Sequence, residues 1–229
     1  MILPYNVDVG LERWPIANWA LIVVTCLVSL AAFPGLYGDA PLEIWVLSGD
    51  GPWSSDLSLI GSVFTHADIF HLLGNMIFLF VFGNAVNAKL GHSLYIACYL
   101  LMGAFASAAS AAMSANALGL GASGAISGVT GMFIVFFPRN NVSVFYWFGV
   151  LVRGVAYISS WIVIGAYFAK DFVFELLFQT TGVSDGVGHA AHLGGTFAGL
   201  ALASGLLLTD RVRSLESEEN LLEKVGLLR

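Results

Sequence analysis

Charge is what this chain has least of: Asp, Glu, Lys and Arg together make up 10% of its 229 residues. A soluble domain usually carries about 25%, so a polar surface all round is excluded. The 9 Lys and Arg, against 15 Asp and Glu, form no basic face for nucleic acid. Cysteine occurs only at Cys26 and Cys98, both inside apolar runs, which rules out a disulfide framework and any cysteine metal-ligand spacing. There is no Walker-type loop, no HExxH pair, no internal repeat and no low-complexity tract. A basic n-region is missing too: Asp8, Glu12 and Arg13 precede the first apolar run, which therefore reads as an uncleaved anchor.

What remains is apolar. Hydrophobic residues make up 58% and mean hydropathy is +0.83, the composition of a polytopic membrane protein. The expectation is an all-α bundle of six transmembrane helices, over Ile16–Phe33, Ile69–Ala88, Ser93–Met113, Ser123–Phe137, Val155–Phe172 and Val187–Leu208. The apolar run Val142–Val152 reads as an interfacial return segment, with a seventh half-span as its alternative. With both termini in the cytoplasm, Arg13, Lys89, Arg139, Arg153, Arg211, Arg213, Lys224 and Arg229 all fall inside, and Lys170 alone falls outside. The first loop, Gly35–Asp68, has no Lys or Arg but several acids, in keeping with the outer side. The domain division is thus a cytoplasmic segment 1–15, a membrane domain 16–208 and a cytoplasmic tail 209–229. In the tail, Leu215, Leu221, Leu222 and Val225 are spaced for a short amphipathic helix.

Polar groups in hydrocarbon are costly, so they are the functional candidates. They cluster in HADIFHLLGNM (His66, His71, Asn75), GLGASGAISG (Ser123) and GHAAHLGGTFAG (His189, His192). From Ser123 to Pro138 is 15 residues, or ~22 Å of helix, against a hydrocarbon core of ~30 Å. The fourth helix is then too short to cross, and starts inside the membrane. The segment Ser114–Ala122 must dip to meet it, where irregular backbone is tolerated only beside protein or water. The same count brings His192, His71 and Asn75 to a similar outer-half layer; His71 and Asn75 share a helix face at i and i+4.

These groups suit acyl transfer. A serine hydroxyl needs a base, most often histidine. The oxyanion needs donors, for which the His71 ring, the Asn75 amide and the Ser123 backbone N–H at a helix start are suitable. No carboxylate occurs in the second, fourth or sixth helix to orient His192, so the expectation is a Ser–His dyad rather than a triad. Gly124 with Gly128, and Gly195 with Gly199, form small-residue faces that permit close helix approach. His66 reads as a loop-fixing hydrogen bonder, His189 as structural or exposed, and His92 as an ordinary interfacial residue. A zinc site drawn from His66, His71, His189 and His192 is the competing chemistry, and it lacks the spacing and the acidic partner such sites show.

Together these motifs resemble the rhomboid family of intramembrane serine proteases. Gly121-Ala122-Ser123-Gly124 matches its serine motif, His192-Leu193-Gly194-Gly195 with Gly199 its base motif, and His71-Leu72-Leu73-Gly74-Asn75 with upstream His66 its second-helix motif. The resemblance implies a serine-type endopeptidase that cuts single-span membrane proteins within or near their transmembrane segment. Its partners would be transmembrane substrates and the lipid bilayer, with no nucleic acid, no metal and no cofactor. It also implies a first external loop lying partly in the outer leaflet, with substrate entering near the fifth helix and a cap over Asp171–Gly186. The expected location is a bacterial plasma membrane. The alternative is an inactive rhomboid-like protein that binds membrane clients, although such relatives usually lack the serine or the histidine. Two positions depart from the family pattern. Asn87 stands where many members have a glutamate, and Ser127 where many have an aromatic ring under the base, so His192 needs a support that the sequence does not name.

Overall fold

The computed structural model describes residues 2–31, 62–66, 68–113, 121–149 and 152–212. Most of the first loop, the dipping segment up to Leu120 and the tail from Arg213 onward lie outside the described residues. The chain is mostly helical. We label its helices α1 (Ile16–Ala31), α2 (Ile69–Leu90), α3 (His92–Met113), α4 (Ser123–Phe136), α5 (Ser160–Thr181) and α6 (His189–Leu208). Three of them, α2, α3 and α6, are long and apolar enough to cross a membrane; α1 and α4 are shorter apolar helices. Helix α5 has 22 residues but carries Lys170, Asp171 and Glu175.

The all-α expectation is corrected by a three-stranded antiparallel sheet, ordered β1 (Ile2–Val7), β2 (Asn141–Phe148), β3 (Val152–Ser159). The run read as an interfacial return segment is a hairpin. Its sequence NVSVFYWF is rich in β-branched and aromatic residues, which suit a pleated surface better than a helix, and Val142 and Val144 turn into the core. The edge strand β1 accommodates Pro4 at a register shift between Pro4 and Asn6. The Asp8 carboxylate fastens this strand to the hairpin, accepting from the Asn141 backbone N–H at 2.6 Å and its side-chain amide at 3.1 Å. Because β3 takes residues up to Ser159, the fifth helix begins at Ser160 rather than Val155. It then runs on to Thr181, where a cap was expected.

Helix α2 is a single 22-residue helix with a π turn at Leu79–Gly83. Such turns disturb the regular ladder, and here Leu79 O accepts from Asn18 Nδ2 at 2.9 Å. Asn18 is fully buried. It also bonds Asn84 Oδ1 (2.9 Å), accepts from Tyr95 Oη (2.6 Å), and donates its backbone N–H to Asn87 Oδ1 (3.1 Å). One side chain thus ties α1 to α2 and α3 through groups that would otherwise be unsatisfied in an apolar interior. Asn87 supplies the contact at the position where the sequence departs from the family pattern.

The closest approach is between α4 and α6. A methyl group at Gly195 would collide with the Gly124 carbonyl oxygen, and one at Gly199 with the Gly128 carbonyl oxygen. A methyl at Gly131 would sit 2.6 Å from Thr196 O. These obstacles are backbone, so no side chain can move aside. Apolar chains gain little by leaving lipid, and it is this van der Waals fit that holds such helices together. We predict that Gly199→Ala, remote from Ser123, destabilises the protein by about 1–3 kcal/mol and lowers the detergent unfolding midpoint. A midpoint unchanged from wild type would mean that α4 and α6 are free to separate there.

Candidate active site

Ser123 is the first residue of α4 and is half-buried. The residue before it, Ala122, caps the helix without a side-chain hydrogen bond, so the first N–H groups of α4 keep the donor capacity of a helix start. Gly121 turns the chain into this helix at φ +107°, a conformation that favours glycine. It also lies flat against the second-helix motif: a methyl there would stand 3.0 Å from His71 Cε1 and 3.6 Å from Asn75 Nδ2. His71 and Asn75, one turn apart on α2, are therefore brought to the serine turn.

His66 organises this corner. Its ring is fully buried; Nε2 lies 2.8 Å from Asn75 Nδ2 and 3.4 Å from the Ala122 backbone N, while Nδ1 lies 2.9 Å from Ser29 Oγ. Both groups at Nε2 are donors, so Nε2 accepts and Nδ1–H donates to Ser29, whose own hydroxyl donates to Phe64 O at 2.8 Å. The neutral ring satisfies every partner. It leaves the second Asn75 amide hydrogen uncommitted to His66. His71 stands edge-on to His66, with centroids 5.1 Å apart, and within electrostatic reach of His192.

His192 lies in the first turn of α6 and is half-buried. The glycine contacts fix its level: Gly124, beside Ser123, packs against Gly195 and also against Ala191, the neighbour of His192. The first turns of α4 and α6 are thus side by side. Among the described residues no hydrogen bond joins Ser123 Oγ to His192. Apo catalytic contacts are often long and tighten only with substrate.

The residue that sequence reasoning missed is Asp171. It projects from α5, 10% exposed, with Oδ2 3.2 Å from His192 Nδ1 and Oδ1 2.8 Å from His189 Nδ1. Lys170 Nζ is 3.1 Å from Oδ1. His189, buried, also faces Asp185 through Nε2 at 3.1 Å. A carboxylate therefore does reach His192, from α5. The signal was present: an aspartate within the apolar stretch FAKDFVFELLF is by default a functional candidate in a membrane helix. Its carboxylate stands against the His192 ring, on a different helix from Ser127. Asp171, His189 and His192 are also the group among the described residues whose ligand atoms, all within 4.8 Å, could hold a metal ion.

Burial, reinforced by the nearby His71 and opposed by Asp68, pushes the His66 pKa down to about 4 from 6.5. A histidine held neutral in the fold contributes stability that is present above its unfolded pKa and is lost as pH falls through the folded value. We predict that the free energy of unfolding is flat above about pH 7 and falls between pH 6.5 and 4, by on the order of 3 kcal/mol. His66→Gln should show a smaller fall over the same range, in detergent-solubilised protein followed by circular dichroism. Equal falls would assign the dependence to other groups.

Comparison with known proteins identifies the family of the chain. Residues 54–209, more than half of the chain, match the family model described as Rhomboid domain. The chain is 30% identical over 156 residues to "Rhomboid protein 1, mitochondrial" of Saccharomyces cerevisiae, an alignment covering 64% of this chain and 41% of that protein. It thus spans less than half the length of that relative.

Proposed function

Because the chain belongs to the rhomboid family, an integral membrane group with intramembrane protease-type function, we propose that it is an intramembrane serine endopeptidase acting on single-span membrane proteins. The six helices α1 to α6 are then six spans, with α4 entering only part of the bilayer: its 14 residues extend ~21 Å, short of the ~30 Å hydrocarbon core. Both termini face the cytoplasm, and a bacterial plasma membrane is the setting that goes with this orientation.

The observation that carries the reading is the seam of Gly124 against Gly195 and Ala191, which sets the serine-bearing turn of α4 beside the histidine-bearing turn of α6. In the mechanism, His192 takes the Ser123 Oγ proton as the oxygen attacks the substrate carbonyl carbon. The oxyanion is met by the Ser123 backbone N–H, the second Asn75 amide hydrogen and the His71 ring. His192 then gives its proton to the leaving amine. Water, deprotonated by the same ring, hydrolyses the acyl-enzyme and returns the proton to Ser123. Gly121 lets His71 and Asn75 come close, and His66 holds Asn75 in place.

The test is cleavage of a labelled single-span substrate in liposomes. Ser123→Ala and His192→Ala are each expected to lower the rate by at least ~10³-fold, and a fluorophosphonate probe should label wild type but not Ser123→Ala. Cleavage by both variants at the wild-type rate defeats the serine–histidine assignment. A folded wild type that binds the substrate without cutting it identifies a client-binding protein instead.

A further inference from the structure

We infer that Asp171 is a positioning residue for His192: its carboxylate, delivered from α5, holds the Nδ1–H of the base and leaves Nε2 with the lone pair that takes the serine proton. This rests on the serine–histidine reading above and adds a third member to it. The geometry has three parts. Asp171 Oδ2 lies 3.2 Å from His192 Nδ1, an ion-pair contact that a small turn of the ring would align as a hydrogen bond. Both side chains are largely shielded, at 10% and 14% exposure, so the attraction is weakly screened. The other carboxylate oxygen is anchored, by His189 Nδ1 at 2.8 Å and Lys170 Nζ at 3.1 Å, so the acid is not free to swing away from the ring.

The anchoring is itself anchored. His189 has a carboxylate at each ring nitrogen, Asp171 at Nδ1 and Asp185 at Nε2. The Val187 backbone N–H donates to Asp185 Oδ1 at 3.0 Å. The row runs Asp185, His189, Asp171, His192, ending on the base. A carboxylate on Nδ1 fixes both ring orientation and tautomer and stabilises the imidazolium formed in the reaction, without itself taking the proton. A simpler role for Asp171 is to clamp α5 to α6 through His189 alone. The two roles differ in what happens to His192.

Histidine-selective 15N spectra separate them without any turnover. With 5 histidines, the ring signals can be assigned by substitution. Wild-type His192 is expected as the Nδ1–H tautomer at neutral pH, shifting toward Nε2–H in Asp171→Asn. A wild-type His192 already in the Nε2–H form overturns the inference even if the variant does not fold. In the liposome assay, Asp171→Asn is expected to lower kcat about 10- to 100-fold with KM within about twofold. His189→Gln, which leaves the Asp171–His192 pair, is expected to keep at least about a third of wild-type kcat. Wild-type kcat in Asp171→Asn, or equal losses in both variants, assigns the acid to clamping alone. If Ser123→Ala still cuts, the serine–histidine reading falls, while the tautomer result stands by itself.

Discussion

The backbone contact between α4 and α6 is the constraint from which the rest of the site follows. Two helices whose glycines meet carbonyl oxygens, Gly195 on Gly124 and Gly199 on Gly128, have almost no freedom to slide or rotate against each other. Side chains flanking the seam inherit that rigidity. Ser123 directly precedes Gly124, and His192 stands one turn before Gly195 on the same face. Their mutual position is therefore set by backbone shape rather than by a flexible loop. The nucleophile and the base of the proposed mechanism need that kind of support, because small misplacements cost large factors in rate.

The remaining elements hold polar groups where hydrocarbon would otherwise penalise them. Asn18 gathers a π-turn carbonyl, two side-chain amides and a tyrosine hydroxyl into one buried knot. His66 does the same for Ser29, Asn75 and the Ala122 N–H. Neither side chain reacts in the proposed chemistry. Each fixes an element that carries a reacting group: Asn18 fixes the course of α2, and His66 fixes the junction of α2 with the serine turn. The cost of an unpaired buried polar group makes such knots restrictive, since any shift leaves several groups unpartnered at once.

Much of this was legible in the sequence, and the reasons differ by element. The helices α1 to α4 and α6 were readable because long apolar runs admit few alternatives in a membrane. The level of Ser123 followed from the distance to Pro138, and α4 does begin at Ser123. The sheet was not legible. Val142–Val152 is as apolar as a helix segment, and short apolar runs do not declare their period; pairing with β1 at the far end of the chain decides it. Asp171 was overlooked for a different reason. The acid lies on none of the helices that bear the other candidates; the contact runs between α5 and α6, about 20 residues apart in sequence.

The inward acid face of α5 shows how such a residue can still be found. Its buried positions are Ser160, Ile164, Asp171 and Glu175, while Phe172, Val173, Phe174, Leu176 and Leu177 are exposed. A helix that turns its carboxylates inward and its large apolar side chains outward is reversed relative to a soluble protein, and it suits lipid. Once inward, each acid requires a partner. Glu175 accepts from Gln179, which also donates to Met113 O at the end of α3. Asp171 has the two α6 histidines. The rotational setting of α5 is thus fixed by polar contacts to its neighbours, reinforced by Phe168 stacking edge-on to Phe197. An aromatic ring under the base would have to come from α4, where Ser127 is too small to provide it. With the acid on α5 instead, the orientation inferred for His192 depends on how α5 docks, so the helix packed beside α6 would also set the base of the proposed mechanism.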